Sequence, residues 1–212
     1  MPKTNNLPLA NPKSVIKIIT IVFLILFAGK FILKDALPYF RFTKEAFGGY
    51  WDYKWPLIGH VSSGVVALII GPFQFWKAFR NKNLSLHRWL GRTYLIVILL
   101  GSICSTILAW TSSIRVNFSW ALSLQSLAFA WIITSAMAYI SVRRKRMVQH
   151  REWMIRSYVV TFAFVIFRWL NHLPLTIKLM DDFAERGPTV AWFSWTIPIL
   201  ITEVVFSWNK KH

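Results

Sequence analysis

The stretch that decides the fold is WLGRTYLIVILLGSICSTILAW, residues 89–110. Its one charged residue, Arg92, lies near its start, and the rest is apolar, small or uncharged. An α-helix needs about 20 predominantly apolar residues to cross the hydrocarbon core of a bilayer. The stretch begins and ends with Trp, which collects at membrane interfaces. Residues 89–110 are therefore predicted to form a transmembrane helix.

Five further apolar runs predict additional spans, at residues 15–33, 55–76, 118–142, 154–177 and 189–208. The first continues into Lys34 and Asp35 without a small-residue cleavage motif, which favours an uncleaved helix over a signal peptide. Residues 34–54 are polar but rich in aromatic side chains, which is typical of a segment lying in the membrane interface. The sequence thus predicts one all-α membrane domain over residues 1–212, a bundle of about six transmembrane helices with an interfacial segment between helices 1 and 2.

The composition supports a membrane location and argues against nucleic-acid binding. Hydrophobic residues make up 55% of the chain and charged residues 16%, against about 25% charged in a typical soluble domain. The net charge of +17 comes from basic residues placed between the apolar runs, where they orient helices and meet anionic lipid headgroups. The single cysteine, Cys104, excludes an intrachain disulfide and a thiolate metal cluster.

The basic residues also predict the orientation, because Lys and Arg accumulate in cytoplasmic loops. With both termini inside, sixteen basic residues fall on the cytoplasmic side: Lys3, Lys13, Lys17, Lys77, Arg80, Lys82, Arg88, Arg92, Arg143, Arg144, Lys145, Arg146, Arg151, Arg156, Lys210 and Lys211. Seven fall outside: Lys34, Arg41, Lys44, Lys54, Arg115, Lys178 and Arg186. An arrangement with the N- and C-termini in the cytoplasm is therefore expected.

Four histidines lie at predicted helix ends, in two pairs. His60 and His172 belong near the outer face, and His87 and His150 introduce the third and fifth spans at the inner face. In a regular helix, His150 and His172 would lie on nearly the same face, about 33 Å apart along the axis. The sequence therefore places one histidine pair at each membrane surface.

Arg168 is the most informative charge, because it falls inside the fifth span, where an arginine is costly and is a functional candidate. Its depth does not match that of Glu203, so it is expected to pair with Asp52, another outer carboxylate or a ligand anion. Glu203 is expected to meet Arg92, Arg156 or His150.

Two patterns accompany the histidines. His60, Gly64, Ala67 and Gly71 form a stripe of small residues below an imidazole, which suits either close helix packing or a flat cofactor. The segments 87–94 and 150–158 each run from His-Arg through Trp to Tyr, which indicates either a parallel repeat or a shared interface anchor.

The strings Gly59-His60 to Gly64, Gly71-Pro72-Phe73-Gln74-Phe75, His87-Arg88-Trp89-Leu90-Gly91-Arg92-Thr93-Tyr94 and His150 to Tyr158 occur together in this chain. With them, roughly residues 55–170 resemble the bacterial predicted membrane protein family called domain of unknown function 2306. The resemblance implies a multi-pass protein of the bacterial plasma membrane, with no established activity.

The histidine pairs suggest a b-type haem protein that transfers electrons, which as an enzyme would be a membrane oxidoreductase. His60, His172, His87 and His150 are then the candidate iron ligands. The candidate cofactor-binding arginines are Arg88, Arg92, Arg151, Arg156 and Arg168. A transporter with a His- and Arg-lined path for a small solute or ion, and a non-catalytic factor for membrane assembly or lipid interaction, are the alternatives. The sequence names no electron donor, acceptor, solute or oligomeric state.

Overall fold

Every regular element in the described part of the chain is a helix. The structure is a computed structural model that describes the backbone of residues 12–209 and the side chains of residues 22–208. The α-helices are α1 (Pro12–Phe31), α2 (Lys44–Phe47), α3 (Lys54–Phe75), α4 (Lys77–Lys82), α5 (Leu84–Thr111), α6 (Phe118–Arg143), α7 (Met147–Thr161), α8 (Ala163–Asn171), α9 (Pro174–Leu179) and α10 (Phe183–Asn209). The prediction of an all-α membrane helix bundle is confirmed.

Five segments among the described residues are long and apolar enough to cross a membrane: Lys44–Phe75, Leu84–Arg115, Phe118–Arg143, Met147–Asn171 and Phe183–Trp208. They correspond in order to predicted spans two to six. The first predicted span, residues 15–33, falls largely on helix α1, but its side chains before residue 22 lie outside the described residues.

The fifth span differs from its predicted form. It begins at Met147, is interrupted at Phe162 and ends at Asn171, whereas one helix over residues 154–177 was expected. At the interruption, the backbone N–H of Phe162 contacts the carbonyls of both Tyr158 and Val159, so the regular hydrogen-bond pattern changes there. Pro174 starts the separate helix α9, because proline cannot continue the preceding hydrogen-bond ladder.

Close packing in the bundle depends on small residues. Helix α3 lies against α5, α5 against α6, and α6 against α7, so these helices form the centre of the bundle. A Cβ atom added at Gly101 would lie 2.8 Å from Cβ of Ser63, and one added at Gly59 would lie 2.8 Å from Sγ of Cys104. Small residues bring membrane helices into this kind of contact, and Cys104 is a packing residue here.

The predicted interfacial segment folds into short helical turns between α1 and α3. A π-helical turn (Ile32–Ala36) and 3-10 turns (Leu37–Arg41 and Gly48–Tyr53) flank helix α2. Phe47 is buried at their centre, and the rings of Tyr39, Phe42 and Trp51 pack against it edge to face. This aromatic cluster covers one end of helices α3 and α5.

Candidate functional site

The inner histidines, His87 and His150, are brought together by two parallel helices. The hydroxyl of Tyr94 on α5 lies 3.1 Å from the hydroxyl of Ser157 on α7, which fixes the register of these helices. His87 precedes Tyr94 by seven residues, and His150 precedes Ser157 by seven. Both histidines therefore lie about 10 Å further along, on the helix faces that point towards each other. Consistent with this placement, the two imidazoles are within electrostatic range of each other.

The His150 ring has a defined tautomer and orientation. Its Nδ1 lies 2.8 Å from the backbone carbonyl oxygen of Ala138 on α6. A carbonyl only accepts hydrogen bonds, so Nδ1 carries the proton and donates it, and the neutral ring keeps its lone pair on Nε2. Metal-binding histidines in proteins are commonly oriented in this way by a carbonyl or carboxylate.

Two buried nitrogen atoms near this pair have no hydrogen-bond partner in the described part of the chain. They are Nδ1 of His87 and Nε2 of Gln74. Gln74 lies close by, since a Cβ added at Gly91, one turn after His87, would approach its Oε1 to 3.2 Å. Buried polar groups in folded proteins nearly always have a partner, and an unpartnered one can mark the position of a water, an ion or another ligand.

Some of the arginines that were predicted to bind a cofactor lie near His87 and His150, and others lie elsewhere. Arg88 lies within electrostatic range of the His87 ring, as does Arg80, which was not predicted. Arg151 is exposed beside His150. Arg92 instead lines a groove between α5 and α6, because it lies about 140° around the helix from His87.

Arg156 is bound by a carboxylate on the neighbouring helix α10. Its Nη2 donates a hydrogen bond of 2.9 Å to Oε2 of Glu203, and its Nε bonds the other carboxylate oxygen. The contact of Glu203 with Arg156 was one of the three expected. Arg156 is thereby used in joining helices α7 and α10.

The outer histidine His60 points into the bundle. Its Nδ1 lies 3.0 Å from the carbonyl oxygen of Gly101, so this nitrogen donates and Nε2 keeps the lone pair. The rings of Trp131 and Phe164 pack around the imidazole. His60, on α3, is thus enclosed by helices α5, α6 and α8.

His172 lies in different surroundings. It is exposed, in the turn that ends helix α8. The sequence argument placed it on one face with His150 on condition that the fifth span is a regular helix, and the interruption at Phe162 removes that condition. The described contacts of His60 involve Gly101, Trp131 and Phe164, so they give no support for an outer pair with His172.

A cavity of about 100 Å³ lies beside His60. Its wall is mainly apolar, and Gly64, Arg168 and Asp35 contribute to it. Nε of Arg168 lies 4.0 Å from Oδ1 of Asp35, and both side chains are mostly buried. Arg168 therefore pairs with Asp35, another of the outer carboxylates, and not with Asp52, the one that was named. Arg168 follows His150 by 18 residues along α7 and α8, which is about 27 Å of helical rise, so it does not share the inner site.

The two glycines of the small-residue stripe on α3, Gly64 and Gly71, have different surroundings. A Cβ at Gly71 would lie 2.0 Å from the ring of Tyr158, whose hydroxyl donates a 3.0 Å hydrogen bond to the carbonyl of Leu68, so Gly71 serves helix packing. A Cβ at Gly64 would meet nothing within 4 Å, and Gly64 faces the outer cavity. The packing interpretation is therefore supported at Gly71, and the cofactor interpretation stays a prediction.

The sequence interpretation missed a buried hydroxyl network between the inner pair and His60. Thr161 Oγ1 donates to the carbonyl of Ser157 at 2.9 Å and accepts from the indole of Trp131 at 2.8 Å. Tyr94, which is fully buried, must then donate to Thr161 at 3.0 Å and accept from the Ser157 hydroxyl. The repeated Trp-to-Tyr segments marked Tyr94, but serine and threonine within an apolar run gave no separate signal.

Comparisons with known proteins give a family and no relative of known function. Neither a curated protein nor a solved structure matches the chain significantly. Residues 57–206 match the family described as "Predicted membrane protein (DUF2306)", and this match extends beyond residues 55–170 to include most of helix α10. The chain therefore belongs to this family of predicted membrane proteins.

Proposed function

We propose that this protein is a membrane electron carrier that holds one b-type haem, with His87 and His150 as the axial ligands. The observation that supports it is the register of α5 and α7, in which the contact of Tyr94 with Ser157 aligns the two histidines. Two imidazoles from two helices form an established axial set for a haem, since the porphyrin supplies the remaining ligands. The outer pair is not part of this proposal.

The donor set suits an iron porphyrin. The hydrogen bond from His150 Nδ1 to the Ala138 carbonyl leaves Nε2 with its lone pair. Nδ1 of His87 is buried and has no hydrogen-bond partner in the described part of the chain, so no protein contact fixes the tautomer of this second ring. Arg80 and Arg88 lie near His87 and would pair with the haem propionates.

The gap between α5 and α7 supports the same site. The far end of the Tyr94 ring makes the contact with α7, so the helices are separated by the length of a tyrosyl side chain at the level of Tyr94. A similar separation about 10 Å along, at His87 and His150, would leave room for a porphyrin. When bound, the haem supplies reversible one-electron chemistry. In the proposed orientation, with the basic loops in the cytoplasm of a bacterial cell, the site lies at the cytoplasmic side of the plasma membrane.

An absorption spectrum of the full-length protein, purified from haem-replete cells, tests the proposal. We expect a Soret band and the sharp reduced bands of low-spin, bis-histidine haem. His87→Ala and His150→Ala should each abolish the low-spin spectrum, and His172→Ala should retain it. The His150→Gly variant should regain the spectrum when free imidazole is added, which separates ligand loss from misfolding. Wild-type protein without Soret absorbance, even after haemin addition, would refute the proposal.

We propose a second candidate function, the binding and passage of a small carboxylate, on the basis of the outer cavity. Its apolar wall suits a short carbon chain, and Arg168 would bind the carboxylate end. The test is uptake of radiolabelled short-chain carboxylates into proteoliposomes. Uptake by the wild type that is lost in Gly64→Phe supports this function, and the absence of uptake above that of empty liposomes contradicts it.

A further inference from the structure

A groove of about 410 Å³ lies between helices α5 and α6, away from both histidine sites. Each helix contributes a stripe with i, i+4, i+7 spacing, so each stripe lies on one helix face. The α5 stripe is Arg92, Ile96 and Leu99, and the α6 stripe is Ile132, Ala136 and Tyr139. Because most of these side chains are exposed, the groove faces away from the bundle centre.

The groove is apolar along its length and basic at one end. Ser135 also lines it, but the Ser135 hydroxyl donates within α6, to the carbonyls of Trp131 and Ile132. Helices α5 and α6 are antiparallel neighbours, so Arg92 near the start of α5 and Tyr139 near the end of α6 lie at the same end. Arg143 follows Tyr139 by one turn on that face and is exposed.

We propose that this groove binds one anionic phospholipid, with an acyl chain between the two stripes and the phosphate at Arg92, Tyr139 and Arg143. From Arg92 to Leu99 the α5 stripe rises about 10 Å, most of one leaflet of a hydrocarbon core about 30 Å thick. Among the described residues, no carboxylate lies within ion-pair distance of Arg92 or Arg143, and no carboxylate lines the groove. Positive charge at the mouth of an apolar groove complements a negatively charged headgroup on an acyl chain.

Charge also favours this lipid over a second copy of the chain. The loop that follows Arg143 continues with Arg144, Lys145 and Arg146. Two copies that met through this face would bring these basic loops together, and like charges repel. An anionic lipid neutralises them instead.

Native mass spectrometry of the full-length protein in detergent tests the proposal, with phosphatidylglycerol and phosphatidylcholine of identical acyl chains as probes. We expect the wild type to retain one phosphatidylglycerol more tightly than phosphatidylcholine. Removing one basic contact with Arg92→Gln should weaken phosphatidylglycerol binding about fivefold. Filling the groove with Ala136→Phe should remove the bound lipid of either kind.

Two matched variants control for general effects. Arg115→Gln removes an exposed arginine at the opposite end of the α5 segment, and Ile133→Phe enlarges an exposed α6 residue that does not line the groove. Both should bind phosphatidylglycerol as the wild type does. Equal retention of the two lipids by the wild type would overturn the proposal. So would a lipid preference unchanged in Arg92→Gln and Ala136→Phe, or a dimer that Ala136→Phe dissociates.

Discussion

The guanidinium of Arg156 binds the carboxylate of Glu203 through two nitrogen atoms, with Nη2 lying 2.9 Å from Oε2. This two-point contact joins α7 to α10 near the end of the bundle that is predicted to face the cytoplasm. The arginine side chain is only 12% exposed and also lies over the rings of Trp153 and Phe206. Arg156 therefore contacts α10 through both a charged residue, Glu203, and an aromatic one, Phe206, while Trp153 packs on it from within α7.

Replacing Arg156 by Gln should lower the free energy of unfolding by about 2 kcal/mol, because a charge-assisted, two-point contact is lost from a largely buried arginine. Glu203→Gln should cost less, about 1 kcal/mol, since its side chain is 44% exposed. Unfolding in an SDS titration measures both. The double variant should cost less than the sum of the single variants, and strict additivity would contradict a direct interaction.

Replacing Arg168 should lower the free energy of unfolding only modestly. The loss should be smaller than for an intramembrane arginine whose partner is fully buried. The Arg168 and Asp35 side chains are 34% and 22% exposed, and the nearest N–O distance is 4.0 Å. Arg168→Leu and Asp35→Asn should each lower the free energy of unfolding by about 1 kcal/mol. A loss of about 3 kcal/mol in Arg168→Leu would indicate that the arginine has a further buried partner.

Gly71 and Gly64 offer a matched test of packing within helix α3. Gly71→Ala should destabilise the protein by about 2 kcal/mol, because the added methyl group collides with the Tyr158 ring. Gly64→Ala should leave the melting temperature unchanged or slightly raised, since its methyl group enters open space and alanine favours the helix. Melting curves in detergent measure both. Equal melting temperatures for the two variants would contradict the packing assignment.

Tyr94→Phe removes the central hydroxyl of the buried network while keeping the ring. The change should lower the free energy of unfolding by about 1–2 kcal/mol, because the hydroxyl groups of Ser157 and Thr161 each lose a hydrogen-bond partner. An SDS titration measures the loss. Thr93→Val is the matched control, as the Thr93 hydroxyl bonds only the carbonyl of Trp89, within its own helix. An equal loss in both variants would contradict a special role for the network.

The predicted orientation can be tested by labelling single cysteines in a Cys104→Ala background. Arg144→Cys is a better probe than Lys145→Cys, because Lys145 has a positive φ of 58°, which is strained for most side chains. An impermeant thiol reagent should not label the Arg144→Cys variant in intact cells, and it should label this variant after lysis. Lys178→Cys, predicted to lie outside, should be labelled in both. Labelling of the Arg144 position in intact cells would reverse the topology.

Hydrophobic length predicted the spans and the approximate depths of the charged residues, because both follow from the thickness of the bilayer. Depth and sign limited the partner of Glu203 to Arg92, Arg156 or His150. They limited the partner of Arg168 to Asp52, another outer carboxylate or a ligand anion. Direction around the helix axis was harder to predict. The interruption at Phe162 occurs within an apolar run that has no proline or glycine, so nothing in the sequence marked it.

At the candidate site, too, the sequence predicted the depth of the residues but not which of them face each other. The His-to-Tyr segments indicated either a parallel repeat or a shared interface anchor at α5 and α7, and the contact of Tyr94 with Ser157 was needed to align His87 with His150. Tyr94 and Tyr158 occupy similar positions in the two segments, yet Tyr94 reaches α7 and Tyr158 reaches the carbonyl of Leu68 on α3. Such differences depend on neighbouring helices, which a single sequence does not specify.

The partnership of Arg156 with Glu203 also sets an order of events during biosynthesis. Arg156 leaves the ribosome 47 residues before Glu203, which at 5–20 residues per second is a delay of roughly 2–9 seconds. Glu152, one turn earlier on α7, lies 3.8 Å from Nη1 of Arg156 and is already present during that interval. The nascent helix thus carries its own counterion into the bilayer, and the arrival of Glu203 then converts a charge balanced within one helix into a link between two.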